Sequence, residues 1–277
     1  MDTNIKTANI AFIGAGNMAK AIIGGLVDNG YNPSSITATA RTPEKLAALN
    51  AELNICTETD NRTAASQADI VILAIKPQQM QQVCEEIAPA IDVNKPLIIS
   101  IAAGITIALL EKWLSPTLSI VRCMPNTPSL VKCGASGLYA NQPTSQAQKA
   151  LAESILSGIG IANWVASENL MDAVTAVSGS GPAYFFLVME AMQAAGEKLG
   201  LDPEAAKQLT LQTALGAAKM AQASDVDTAE LRKRVTSPGG TTAAALAVFA
   251  EQGLPEIFEK ALQAADDRSK SLAKEMQ

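Results

Sequence analysis

Two glycine-rich segments carry the residue types that could bind small anions in this chain. Gly14-Ala15-Gly16-Asn17-Met18-Ala19 follows the apolar run Asn9–Ile13 and leads into a helical pattern through Ile22, Ile23 and Leu26. That is G-x-G-x-x-A in a strand–turn–helix setting. The first glycine permits the tight turn, the second lets backbone approach a pyrophosphate, and the small third residue lets helix pack on strand. The start of such a helix offers free N–H groups and a positive dipole end to a phosphate. Ser237-Pro238-Gly239-Gly240-Thr241-Thr242 also precedes a helix, with more hydroxyls. It suits a small carboxylate without any arginine. Ser178-Gly179-Ser180-Gly181-Pro182 reads as a further helix start of the same kind. The plain alternative for each is a turn that merely begins a helix.

Other candidates stand at the ends of apolar runs. After residues 36–40, where an NAD enzyme usually places a carboxylate on the ribose, this chain has Arg41-Thr42-Pro43, with Lys45 close behind. A guanidinium binds a 2′-phosphate through two parallel hydrogen bonds, so NADP(H) is expected over NAD(H), with a solvated strand-end cation as the alternative. Ala74-Ile75-Lys76-Pro77 follows the run at 69–75, and Ala102-Ala103-Gly104 the run at 96–101. Lys76 can point into the crevice at the strand ends, and the small residues let a flat ring lie close to backbone. Both segments also read as ordinary strand-to-helix turns, as does the Pro125-Asn126-Thr127-Pro128 loop.

Composition removes other chemistries. The 277 residues contain no histidine, which excludes Ser-His-Asp, Cys-His and histidine general-acid mechanisms. Cys56, Cys84, Cys123 and Cys133 lack C-x-x-C spacing, so no metal site is expected and reduced thiols are. A net charge of −6 without a basic stripe argues against nucleic acid. No apolar stretch reaches the roughly 20 residues that span a bilayer, and MDTNIKTANIAFIG has no signal-peptide pattern. A cytoplasmic protein without a membrane or nucleic-acid partner is expected.

The elements that must position these residues follow from periodicity. Apolar runs at 9–13, 36–40, 69–75, 96–101 and 118–123 alternate with helical segments, and a helix near 144–158 and strand near 161–165 follow. Such alternation predicts an α/β fold: an N-terminal Rossmann-type parallel-sheet domain over 1–167, with the nucleotide at the carboxyl ends of its strands. Residues 168–277 are predicted all-α. Pro182 to Leu199 is apolar almost all round, implying burial on several sides, and Asp202-Pro203 starts the next helix. Further helices are predicted at 227–235, 241–252 and 255–274. An alanine- and methionine-rich bundle of this kind predicts a homo-oligomer.

FIGAGNMAKAI, LAIKP, SIAAGI, RCMPNTP, SGSGPAYFF and VTSPGGTTAAAL occur in this order over nearly the whole chain. In this the chain resembles the pyrroline-5-carboxylate reductase family, and the last segment is the most specific. The resemblance implies a Rossmann domain, a helical dimerisation domain, and reduction of L-1-pyrroline-5-carboxylate to L-proline with NADPH, NADH being possible. It implies a homodimer or a pentamer of dimers. Gly14, Ala15, Gly16, Asn17 and Met18 would take the pyrophosphate, Arg41 the 2′-phosphate, and Asn61 the adenosine end. Ala74, Lys76 and Pro77 would line the middle of the cofactor, and Ala102 and Ala103 the nicotinamide. Ser237, Gly240, Thr241 and Thr242 would hold the substrate carboxylate, with the Thr242 hydroxyl reaching the ring nitrogen as the catalytic group. Thr241 departs from relatives that carry alanine, at a position where backbone makes the contact. A β-hydroxyacid dehydrogenase shares the first turn but generally needs a lysine early in the long helix, where this chain has only Lys198 at the far end. Another imine reductase and a non-catalytic NADP sensor are the remaining alternatives.

Overall fold

The structure, a computed structural model, describes residues 8–276. The strands and helices of its α/β part run β1 (Ile10–Ile13), α1 (Asn17–Asp28), β2 (Ile36–Thr39), α2 (Pro43–Leu53), β3 (Cys56–Glu58), α3 (Asn61–Ser66), β4 (Ile70–Leu73) and α4 (Met80–Ile91). They continue with β5 (Leu97–Ser100), α5 (Ile107–Trp113), β6 (Ile120–Met124), β7 (Gly134–Ala140), α6 (Gln146–Ser157) and β8 (Gly160–Trp164). One sheet holds all eight strands in the order β3-β2-β1-β4-β5-β6-β7-β8.

Side chains alternate across the sheet and fill two cores. Ile10 and Phe12 pack with Ile22, Ile23 and Leu26 of α1 and Ile155 of α6. Ala11 and Ile13 pack on the opposite face with Val83 and Ile87 of α4 and Leu110 of α5. Burial on both faces is why these strands read as unbroken apolar runs rather than alternating ones.

The sheet departs from the expected all-parallel arrangement in one place: β7 pairs antiparallel with β6, and β8 then pairs parallel with β7. A parallel crossover needs a dozen or more residues and usually a helix. Residues 125–133 are too few, and they hold only a short 3₁₀ turn over Thr127–Val131. The chain therefore doubles back. The strand β3 had no apolar run to announce it, since Cys56 and Thr57 are exposed at the sheet edge.

The remaining helices are α7 (Leu170–Val174), α8 (Gly181–Lys198), α9 (Pro203–Ala223), α10 (Thr228–Arg234), α11 (Thr241–Glu251) and α12 (Leu254–Glu275). Asp202 caps α9 as expected, accepting from the N–H groups of Glu204 and Ala205. By packing, the chain forms two compact units: one runs to Ser180 and takes in the chain again from Ala265, and the other is Gly181–Ala264. The division read from sequence pattern lay at 167/168. In the first unit Met171 is fully buried and the Ser269 hydroxyl donates to Asp172 at 2.7 Å. The helical unit buries little by itself. In α8 only Gly181 is buried, while Phe185, Phe186 and Leu187 are 67%, 63% and 65% exposed. The all-round apolar character of α8 therefore does not correspond to burial within a single chain.

Candidate active site

The strand order reverses direction around β1, which lies between β2 and β4. A crevice opens at the carboxyl ends of strands at such a switch point. Ile13 lies beside Thr39 on one side and Leu73 on the other. The segments after β1, β2, β4 and β5 thus emerge along one edge. Gly14, Ala15, Gly16, Asn17, Met18, Arg41, Ala74, Lys76, Pro77, Ala102 and Ala103 all stand on them.

The two glycines of the first turn are there for different reasons. Gly14 has φ +100°, and a Cβ there would lie 2.6 Å from the Ala74 carbonyl oxygen. The chain's own packing requires it. Gly16, at φ −77° and ψ 178°, begins α1, and a Cβ there would meet nothing within 4 Å. Only open space faces it, as a backbone that must meet a ligand would have. No side chain caps α1 and its first turn has no acidic residue, so the N–H groups at its start face outward uncompensated. Ala19, the small third residue, is fully buried against the sheet. These residues fit a pyrophosphate.

Thr39, a residue that the sequence did not single out, supports the turn from behind. Its Oγ1 accepts from the Gly14 N–H at 3.2 Å and donates to Asn61 Oδ1 at 2.7 Å. This ties Asn61, the first residue of α3, to the glycine turn. A hydroxyl at the inward end of a buried strand was the available signal. Arg41 and Lys45 are exposed beyond β2 and pair with no carboxylate among the described residues. Lys76 is exposed at the start of the turn Pro77–Gln79. Ala102 is buried and Ala103 exposed after β5.

Further along the same edge lies a cavity of about 260 Å³ lined by Pro77, Ala103, Gly104, Thr175, Ser180 and Leu272 among others, all in the first unit. Two anchors hold its surroundings. Arg122, 5% exposed on β6, pairs with Glu168 at 3.0 Å. The same carboxylate oxygen accepts the Ile107 N–H at 2.8 Å and so fixes the start of α5, just after Ala102 and Ala103. Asn126 accepts the Ala135 N–H at 2.8 Å and donates to the Ser178 carbonyl at 3.0 Å. Pro182 has no N–H to offer that carbonyl, which leaves it for Asn126.

A helix does begin within Ser178–Pro182, as read from the sequence: α8 starts at Gly181, but a helical turn runs directly into it. Thr175–Gly179 form one π-helical turn, and the Ser180 N–H donates to the Thr175 carbonyl at 2.8 Å. The Ser180 N–H is therefore engaged within the chain and is not one of the free donors expected there.

The second loop belongs to the helical unit. Ser237–Gly240 form a turn closed by the Gly240 N–H donating to the Ser237 carbonyl at 3.0 Å, with Gly239 at φ +71°. Proline second and a positive-φ glycine third are what a type II turn requires. It delivers Gly240 as the cap of α11, with no side-chain cap and no acidic residue in the first turn. The N–H groups of Thr241, Thr242 and Ala243 therefore have no helical acceptor. Ser237 and Thr241 are exposed and Thr242 half-buried. The last turn of α10 places Arg232, Lys233 and Arg234 just upstream. Glu230 pairs with Arg234 at 3.1 Å, and Arg232 and Lys233 add positive charge that sequence reading passed over. Such a loop can hold a small anion and present one hydroxyl.

Comparison with known proteins gives two matching family models: "Pyrroline-5-carboxylate reductase dimerisation" over residues 168–272, and "NADP oxidoreductase coenzyme F420-dependent" over residues 9–104. A pyrroline-5-carboxylate reductase of Pseudomonas aeruginosa is 53% identical over 272 residues, covering 98% of this chain and 99% of the relative. The structure of a pyrroline-5-carboxylate reductase from Coxiella burnetii matches with TM-score 0.93 at 50% identity, over 96% of this chain and 98% of that one. That of the Plasmodium falciparum pyrroline carboxylate reductase, solved with NADP bound, matches with TM-score 0.85 at 30% identity, over 97% and 99%.

Proposed function

This chain belongs to the pyrroline-5-carboxylate reductase family, and from that membership we infer that it reduces L-1-pyrroline-5-carboxylate to L-proline with NAD(P)H, the last step of proline biosynthesis. The observation in the molecule that carries the reading is a pair of uncapped helix starts, at Gly16 and Gly240, each entered through glycine and free of acidic side chains. One suits a pyrophosphate and the other a small carboxylate.

The α1 start, from Gly14 to Met18, takes the pyrophosphate. Arg41 takes the 2′-phosphate, which makes NADPH the preferred cofactor, and Asn61 stands toward the adenosine. Ala74, Lys76 and Pro77 line the middle of the cofactor, and Ala102 and Ala103 the ring. When bound, the reduced nicotinamide supplies the hydride. Ser237 and the backbone of Gly240, Thr241 and Thr242 hold the substrate carboxylate and so orient the ring, an effect worth several kcal/mol when reacting atoms are aligned (about 7–11 at the upper limit). Thr242 is the catalytic side chain: its Oγ1 accepts from the protonated imine nitrogen and donates to the amine once formed. A protonated imine is already a good hydride acceptor, so no strong acid is required, in keeping with a chain that lacks histidine.

The active form in this reading is a homodimer or a pentamer of dimers in the cytoplasm, acting on small molecules without nucleic-acid or membrane partners. In support, the net charge is −6, and among the described residues no helix is long and apolar enough to cross a membrane. The test is loss of nicotinamide absorbance with purified protein and pyrroline-5-carboxylate, NADPH against NADH. Imine-dependent oxidation, faster with NADPH at limiting cofactor, is expected. A folded protein that oxidises neither cofactor would overturn the assignment.

A further inference from the structure

One hydroxyl joins the glycine turn to Asn61, and the direction of its proton decides which end of Asn61 meets the crevice. Thr39 ends β2 and is 1% exposed, while Asn61 opens α3 and is half-buried. The Gly14 N–H donates to Thr39 Oγ1 at 3.2 Å, so that oxygen is the acceptor on this side. Its single proton goes to Asn61 Oδ1 at 2.7 Å. The Asn61 carbonyl oxygen is therefore turned in toward the sheet. Its NH₂ is turned out, 3.5 Å from the carboxylate of exposed Glu86. Reversed, the amide would set a second donor on Thr39 Oγ1 and take away the acceptor that the hydroxyl proton has, at a strand end that water scarcely reaches.

The direction matters because Arg41 leaves the same strand end two residues after Thr39 and is exposed. A phosphate oxygen only accepts. An anion beside Arg41 meets N–H donors from Asn61 in this orientation and a repelling carbonyl oxygen in the other. A ribose 2′-hydroxyl donates or accepts and tolerates both. The contact to Glu86 is long for a hydrogen bond, and a phosphate oxygen can replace it.

We propose that Thr39 is a positioning residue for cofactor choice: its hydroxyl locks the Asn61 amide with the NH₂ outward, as a donor to the 2′-phosphate that separates NADPH from NADH. The assignment rests on the cofactor reading above and adds to it how the site tells a phosphate from a hydroxyl. Thr39, buried behind the turn, acts only through Asn61.

The test measures the affinities of NADPH and NADH for the intact protein by calorimetry, without substrate. Thr39→Val keeps the shape and drops the hydroxyl, and Thr39→Ser keeps the hydroxyl. We expect Thr39→Val to lower the ratio of NADPH to NADH affinity about two- to tenfold, the range for immobilising one side chain, and Thr39→Ser to hold the wild-type ratio. The lost acceptor for the Gly14 N–H bears on the pyrophosphate turn, which both cofactors share, and so cancels in the ratio. On top of Asn61→Ala, Thr39→Val should leave the ratio where Asn61→Ala alone puts it, because the effect passes through Asn61. An unchanged ratio in Thr39→Val, equal weakening of both cofactors, or a further change on top of Asn61→Ala overturns the proposal and leaves the cofactor reading intact. If Thr39→Val does not fold, Thr39→Ala against Thr39→Ser carries the same comparison. A folded wild-type protein that binds neither cofactor, or does not prefer NADPH, removes the cofactor reading and this assignment together.

Discussion

Gly14 and Gly16 give the sharpest prediction at the scale of single residues. A side chain at Gly14 meets both a positive φ and the Ala74 carbonyl, so Gly14→Ala should destabilise the fold by about 2–4 kcal/mol, read as a lowered urea midpoint. Gly16→Ala meets no neighbour and should leave the midpoint nearly unchanged while weakening NADPH. Loss of stability in both would remove the ligand argument for Gly16. Arg41→Ala should raise KM for NADPH about ten- to a hundredfold and leave NADH nearly unaffected, the measure of a charge-assisted contact. Thr242→Ala should lower kcat/KM by about ten- to a thousandfold, at 1.36 kcal/mol per factor of ten; wild-type kinetics would refute its catalytic role. The sequence offers these residues as candidates because their types are chemically unusual where they stand. Thr39 and Glu168 are not among them: a hydroxyl at a strand end and a carboxylate before a helix are common, and only the fold puts them against Gly14 and Ile107. The cysteines behaved likewise. The sequence counted four thiols, but burial separates them, pushing Cys84 up to about 12 and Cys123 well above the usual thiol range.

At the scale of elements, the pair between buried Arg122 and half-buried Glu168 joins β6 to the start of α5. Removing one partner leaves the other charge buried and alone, which typically costs about 3–5 kcal/mol. Glu168 retains some exposure, so Glu168→Ala should sit near the lower bound, about 3 kcal/mol by urea unfolding; a loss below about 1 kcal/mol would mean that water relaxes around Arg122. Most strands were readable because burial on both faces makes an unbroken apolar run. Three features were hidden for physical reasons. The edge strand β3 has exposed residues and so no hydrophobic signature. The reversal at β7 follows from loop length between strands, not from the composition of either strand. The π-helical turn changes which carbonyl each N–H meets, and residue types alone do not encode that.

At the scale of the whole molecule, the helical unit leaves Phe185, Phe186 and Leu187 mostly exposed, and α11 buries no residue. Helices gain most of their stability from covering an apolar face. This fits the dimerisation model matched over residues 168–272. Phe186→Asp with Leu187→Asp should yield a monomer by light scattering with a lower melting temperature, and an unchanged oligomer mass would place the self-association surface elsewhere. The apolar character of α8 was legible; that a single chain leaves it uncovered was not. The assignment of the last residues was likewise out of reach, since α12 reads as one helix although packing allots its final turns to the first unit. That allotment limits how the protein can be recombined with its relatives. A chimaera joined once, near the sequence boundary, would import final turns of α12 that must match a foreign sheet domain. An exchange with crossovers at both 180/181 and 264/265 keeps the Ser269–Asp172 bond with its native partner, which makes the helical unit an insert within the α/β domain rather than a module appended to it.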